Sequence, residues 1–167
     1  QLTVYPTVGE ALTQGGSELA VDGVLLIAEH GEYPSNNKDQ VLWPRYEFFQ
    51  QMAAVFRSCG RSVPVFNDKH LSWNWDWARK MYDTSRELEF PFMAGSSLPV
   101  TWRTPSIDLP LGAQVEEAMC VCSSWIDGGD FHAFETVQAM VERRAGGEGG
   151  GKWVKAYRGD EFWQAHH

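Results

Sequence analysis

The chain has 167 residues, of which 43% are hydrophobic and 22% are charged, as is usual for a globular protein with its own hydrophobic core. Its formal net charge of −8 at pH 7 argues against nucleic acid or an anionic membrane surface as the main partner. No apolar run approaches the length of about 20 residues that a membrane-spanning helix needs, and the first residues lack the pattern of a secretory signal. We therefore expect a cytoplasmic protein whose partner is a small molecule.

The first 98 residues predict an alternation of strands and helices. Three apolar runs have the length and composition of strands: Val21 to Glu29, Val63 to Phe66 and Phe92 to Gly95. Apolar residues at helical spacing lie between them, over residues 45–59 and 73–89. Such an alternation favours a parallel sheet with right-handed crossovers. We predict an α/β fold in which residues 1–98 form a partial Rossmann-like sheet with flanking helices.

Polar side chains follow each predicted strand. Because the carboxyl ends of parallel strands meet at one edge of the sheet, where α/β proteins bind ligands, these side chains predict a site. The long polar segment after the first strand could fold over that edge. The side chains are Glu29 and His30 after the first strand, Asp68, Lys69 and His70 after the second, and Ser96 and Ser97 after the third.

Residues 99–165 predict a second, smaller α+β lobe. A proline-rich stretch begins it, and residues 113–126 and 153–159 then have the pattern of strands, with a helix from about Asp130 between them. The glycine-rich stretch at residues 146–151 follows a helix and precedes a strand, which is the reverse of a phosphate-binding loop. Residues 166–167, both histidine, resemble the remnant of a purification tag and are left out of the site.

No metal site is predicted from the cysteines or the histidines. Cys59, Cys120 and Cys122 form no Cys-x-x-Cys pair, so we expect reduced thiols. The histidines lack the H-x-H or H-x-x-x-H spacing of a metal site.

Several features, taken together, resemble the Gfo/Idh/MocA family, which includes glucose-fructose oxidoreductase and inositol dehydrogenase. A Glu-Lys-Pro step ends a strand in that family, and here Asn67-Asp68-Lys69-His70 has its lysine at the same place and His70 instead of proline. The segment VYPTVGEALTQGGSELAVDGVLLIAEHGEY is similar to the family's helix with Glu-Ala-Leu and the strand after it. His132 in DFHAFETVQ resembles the histidine of the family's second lobe.

The resemblance implies an oxidoreductase that acts on a sugar or polyol hydroxyl and passes a hydride to NAD or NADP. Lys69 would lie beside the nicotinamide and the substrate, and His132 would assist proton transfer. Two departures matter: Gly128 stands where the family has an aspartate, and no G-x-G-x-x-G follows an N-terminal strand. The chain therefore resembles the later part of such a protein, and we expect it to bind the dinucleotide poorly unaided.

The residue types also support a catalytic site directly. A partly desolvated lysine at a strand end can orient a hydroxyl and move protons, while Asp68 could instead cap the following helix. His132 could act as an acid or base, with Glu135 on the same helix face. Arg103 could clamp a carboxylate or phosphate. We predict Lys69, His132, His70 and Asp68 as catalytic residues, and Glu29, His30, Ser96, Arg103 and Glu135 as substrate-binding residues.

Two other functions stay open from the sequence. The first is a hydrolase of a small ester or lactone, with a divalent metal as a possible cofactor. The side chain that activates water in it would be Glu29, His30, Asp68, His70 or His132. Ser96 and Ser97 lack the G-x-S-x-G pattern of the α/β-hydrolases, which argues against a serine enzyme of that type. The second is a non-catalytic, dimeric binding module. A sheet with an open edge also predicts a homo-oligomer.

Overall fold

The computed structural model describes residues 2–27 and 31–165, and within these ranges the fold is mixed α/β. Three strands form one parallel sheet, and five α-helices accompany them. A 3₁₀ helix, Leu98–Val100, follows the last strand. The elements are α1 (Val8–Thr13), β1 (Val24–Leu26), α2 (Arg45–Cys59), β2 (Val65–Asp68), α3 (Trp75–Glu87), β3 (Phe92–Gly95), α4 (Ile126–Val141) and α5 (Asp160–Gln164).

The sheet confirms the predicted alternation of strands and helices. Its order is β1-β2-β3, and both neighbouring pairs are parallel. The register joins Leu25, Phe66 and Met93 in one row across the sheet. β2 begins two residues later than the sequence predicts and ends at Asp68, so this carboxylate lies within the strand and not beyond it.

Helix α2 supplies much of the hydrophobic core. Its buried residues Phe49, Met52, Ala53 and Phe56 recur at helical spacing and pack with Val65, Met81 and Phe90. The helix ends at Gly60, whose positive φ of 61° is one that glycine adopts without strain. Burying a side chain such as Phe49 stabilises the fold by about 1.5–3 kcal/mol. This core holds β2, and therefore the residues that follow it, in place.

The opposite face of the sheet is uncovered in the described residues. Leu25 and Met93 are 72% and 60% exposed, and Ile27 is 59% exposed. Successive strand residues point to opposite faces, so the neighbours Val24, Leu26 and Val65 face α2 while this row faces outward. Parallel sheets are normally covered on both faces, which makes this apolar row unusual.

The strands predicted for the second lobe do not form. Among the described residues beyond β3 no strand occurs, and residues 114–125 have no hydrogen-bonded neighbour strand. Met119, Val121 and Trp153 are all more than 80% exposed. Alternating apolar residues become a strand only where another strand pairs with them, so the prediction of strands here is wrong.

Helix α4 begins four residues before the predicted start at Asp130. Its first turn therefore includes Asp127, and it packs against the 3₁₀ helix after β3. Within the described ranges, every helix is too short or too polar to cross a bilayer.

Candidate functional site

The turn after β2 presents Asp68, Lys69 and His70 at the carboxyl edge of the sheet. Asn67 is fully buried, and its Nδ2 donates hydrogen bonds to the carbonyl oxygens of Asp68 (3.3 Å) and His70 (3.1 Å). The N–H of Lys69 donates to the carbonyl of Gly95 at the end of β3, at 3.0 Å. These bonds hold Lys69 at a φ of +65°, a conformation that few non-glycine residues adopt.

Lys69 and Asp68 form a short ion pair. Nζ of Lys69 lies 2.6 Å from Oδ2 of Asp68, and the two side chains are 26% and 16% exposed. Asp68 does not cap the next helix, because Asn74 does so by accepting a hydrogen bond from the N–H of Trp77 at 3.1 Å. The capping alternative for Asp68 is therefore wrong, and its carboxylate faces the lysine.

His70 binds a buried arginine. The guanidinium of Arg45, at the start of α2, lies 2.6 Å from Nε2 of His70, and Arg45 is 2% exposed. A guanidinium only donates hydrogen bonds, so Nε2 accepts and the neutral ring carries its hydrogen on Nδ1. Burial, together with the positive charges of Arg45 and Lys69 and the nearby His132, lowers the pKa of His70 to about 4. His70 is thus a neutral acceptor near pH 7 and not an acid.

Helix α4 brings His132 to the end of β3. Nδ1 of His132 lies 2.5 Å from Oγ of Ser96, a side chain that is almost completely buried. Ser96 Oγ also accepts a hydrogen bond from the N–H of Leu98 at 3.1 Å. The described residues place no hydrogen-bond partner at Nε2 of His132. The ring is therefore held at one nitrogen and leaves the other for a ligand.

Glu135 connects α4 to the main chain directly after β3. Its Oε2 accepts the N–H of Ser96 at 3.0 Å, and it lies one turn after His132 on the same helix face. A Cβ at position 95 would lie 2.9 Å from that oxygen, so the glycine there leaves room for the carboxylate in this position. Glu135 therefore contacts the protein backbone, so the structure gives its carboxylate a positioning role.

Phe131 packs against both His70, in the turn after β2, and His132, on α4. Its ring centroid lies 5.5 Å from that of His70 and 5.9 Å from that of His132. The strand ends and α4 thus bring six of the predicted residues into one group, which we name the strand-end cluster. Its members are Asp68, Lys69, His70, Ser96, His132 and Glu135.

Arg103 does not join the strand-end cluster. Its guanidinium donates to the carbonyls of Pro99 (3.0 Å) and Ile107 (3.3 Å) and pairs with Asp108. Residues 99–108 form a cavity of about 500 Å³ by themselves, and none of the contacts of Arg103 leaves this segment. The predicted substrate contact of Arg103 thus has no support in its geometry. Glu29 and His30 lie outside the described residues.

The segment between β1 and α2 contacts the elements that carry the cluster. The N–H of Val41 donates to Oδ2 of Asp127 on α4 at 3.0 Å, and Nε2 of Gln40 donates to the carbonyl of Trp73 at 3.2 Å. Asp127, a residue close to the aspartate position of the resembled family, therefore holds this segment against α4. These bonds place the segment beside the cluster.

Sequence reasoning missed Arg45, Asn67 and Phe131. Arg45 lies four residues before Phe49 on the apolar stripe of α2, and a charged residue on such a stripe indicates a buried partner. Asn67 alternates with Val65 and so falls on the inward face of β2. Its Oδ1 is buried and has no hydrogen-bond partner among residues 2–27 and 31–165.

A metal ion finds no ready set of ligands in the described part of the chain, where no group of three or more histidine, cysteine or acidic side chains is suitably placed. Comparison of the chain with known protein families, with curated proteins and with solved structures finds no match. The function of the chain is therefore inferred from the geometry of the strand-end cluster and from the resemblance to the Gfo/Idh/MocA family.

Proposed function

We propose that the strand-end cluster binds a sugar or polyol and exchanges a proton with one of its hydroxyl groups. This is the proton-transfer part of an oxidoreductase reaction of the Gfo/Idh/MocA kind, whose hydride would pass to a separate acceptor. The observation that carries the proposal is His132, which Ser96 holds at Nδ1 while Nε2 is left for a ligand. Lys69 at the end of β2 and the parallel sheet that carries it also support the proposal. Both residues occupy the positions that the resemblance assigns to substrate handling.

The hydroxyl of Ser96 suits a histidine that alternates between proton donor and acceptor. A serine hydroxyl both donates and accepts hydrogen bonds, so it supports either tautomer of His132. When Nδ1 carries the hydrogen, Nε2 accepts a proton from a substrate hydroxyl. When Ser96 donates to Nδ1, the hydrogen on Nε2 is available to return to the same substrate oxygen. A group of this kind contributes about 10²–10⁴-fold to the rate.

Lys69 contributes charge and orientation. Its ammonium group can donate a hydrogen bond to the same substrate oxygen and stabilise negative charge that develops there. Asp68, 2.6 Å from Nζ, pairs with the ammonium group and restricts its side chain. His70 and Arg45 hold the turn after β2 in place and do not exchange the proton in this proposal.

A nicotinamide dinucleotide does not fit the described residues. Its pyrophosphate normally binds a glycine-rich turn between a strand and a helix. Residues 69–74 between β2 and α3 contain no glycine, and residues 31–44, the described part of the connection that leads into α2, contain only Gly31. The glycine-rich residues 146–151 follow α4 instead. We therefore assign no step of the reaction to a dinucleotide. Titration calorimetry of this chain with NAD or NADP should give no binding in the micromolar range.

Ligand-observed NMR tests the proposal without a dinucleotide. Saturation-transfer spectra with a panel of hexoses and polyols should show one or more that bind the wild-type chain. Lys69→Ala and His132→Ala should each abolish that signal, whereas Lys80→Ala, which removes an exposed lysine of α3, should retain it. The absence of any bound sugar or polyol, or signals that are equal in all variants, would contradict the proposal. Where turnover is found, both cluster variants should lower it by about a hundredfold or more.

A further inference from the structure

We propose that Ser96 is also a nucleophile, and that the strand-end cluster hydrolyses small carboxylic esters through an acyl-serine intermediate. This activity goes beyond the proton exchange proposed above, because the reacting oxygen belongs to the protein. It uses Nδ1 of His132, whereas the exchange with a sugar hydroxyl uses Nε2. The absent G-x-S-x-G motif argues only against the α/β-hydrolase type of site, and this geometry is different.

The contacts of Ser96 direct its hydroxyl hydrogen to the histidine. The N–H of Leu98 donates to Oγ at 3.1 Å and so occupies one of its lone pairs. Oγ lies 2.5 Å from Nδ1 of His132, so the two atoms are in direct contact, as a general base and the hydroxyl that it deprotonates must be. In the reactive tautomer Nδ1 carries no hydrogen, so it accepts the hydroxyl hydrogen of Ser96.

The main chain around Ser96 offers an oxyanion donor and a contact that positions the base. The N–H of Ser97 donates to no other described residue, and the residue after the nucleophile is a common oxyanion donor in serine enzymes. The N–H of Ser96 itself is occupied by Glu135. Since Glu135 and His132 share one face of α4, this bond also fixes the base relative to the nucleophile.

The reaction balances without an added oxidant or reductant. Oγ of Ser96 attacks the ester carbonyl carbon, and its proton passes to Nδ1 of His132. The C–O bond to the alcohol then breaks, and the imidazolium returns the proton to the leaving oxygen. Water attacks the acyl-serine with His132 as base, the acid leaves, and Oγ regains its proton. Because Ser96 is 8% exposed, only a small acyl group can reach Oγ.

A small alkyl fluorophosphonate, which forms a covalent adduct with activated serines, tests this inference on the full chain. Intact-mass and peptide mass spectrometry should find one adduct, on Ser96. Ser96→Ala should abolish the adduct, and Ser123→Ala, which removes an exposed serine, should leave it unchanged. His132→Gln should slow labelling by about a hundredfold or more.

Three results would overturn the inference: no adduct on the wild-type chain, an adduct only at another residue, or equal labelling rates in wild type and His132→Gln. If His132→Gln fails to fold, the wild-type labelling rate measured against pH decides, because it must rise with the deprotonation of a single base, and a flat profile contradicts the inference. The probe contains no sugar or dinucleotide. Failure of this test therefore leaves the sugar-binding result unaffected, and the reverse also holds.

Discussion

His70 is a histidine whose surroundings keep it neutral. Arg45 donates to its Nε2, and burial with nearby positive charge lowers its pKa to about 4 from the ordinary 6.5. The unfolded chain therefore binds a proton at this residue at a higher pH than the folded chain does. It follows that the folded state loses stability as pH falls from about 6.5 towards 4, and has its full stability above that range.

Denaturant unfolding at a series of pH values checks this expectation. The gap between the two pKa values corresponds to at most about 3 kcal/mol. His70→Gln keeps an acceptor for Arg45 but does not titrate, so its free energy of unfolding should fall less between pH 6.5 and 4 than that of the wild-type chain. Parallel curves for the two proteins would show that His70 titrates normally in the folded state.

At the scale of the elements, the sequence predicts the helices and strands whose pattern of apolar residues is local. The apolar stripe of α2 and the existence of β1, β2 and β3 were predictable because their periods follow directly from backbone geometry. The length of β1 was not, since the strand begins at Val24 and ends at Leu26, whereas the sequence predicts one from Val21 to Glu29. The strands predicted near Met119 and Trp153 failed because a strand needs a partner that no local pattern specifies.

In the site, too, the sequence predicts residues that follow a strand directly but not contacts between distant parts of the chain. The reactive side chains after β2 and β3 were predictable as strand ends, since they follow directly in the sequence. The bond between Ser96 and His132, 36 residues apart, depends on the packing of α4 and could not be predicted. Arg45, by contrast, had a detectable signal in its position on an apolar helix face.

Amide hydrogen exchange tests whether residues 114–125 are irregular, as in the structure, or form the strand predicted from the sequence. None of their N–H groups donates to another described residue, so their amides should exchange nearly as fast as those of an unfolded chain. Amides of β2, for which the N–H of Val65 bonds to the carbonyl of Pro91 at 2.9 Å, serve as the protected control. Protection of residues 114–125 comparable to that of β2 would restore the predicted strand.

At the scale of the whole molecule, we propose that the uncovered sheet face binds a second copy of the chain. Leu25, Phe66 and Met93 form a continuous row across the sheet, and a flat row of this kind can stack on itself about a two-fold axis. Burying it would supply the second cover that parallel sheets normally have.

Light scattering tests this proposal at several concentrations. The wild-type chain should have twice the mass of one chain, and the double variant with Leu25→Glu and Met93→Glu should be monomeric. Tyr82→Glu, which places the same charge on an exposed position of α3, should remain dimeric. A monomeric wild-type chain at high concentration would refute the dimer.

The claim on which both functional proposals depend is the hydrogen bond between Ser96 and His132, and nitrogen NMR of the histidine rings measures it directly. The account predicts that the Nδ1 shift of His132 changes when Ser96 is replaced by alanine, while the shifts of His70 change little. It also predicts that a bound sugar or polyol perturbs Nε2 of His132. Ring shifts of His132 that match those of a free histidine, and that are the same in wild type and Ser96→Ala, would contradict it.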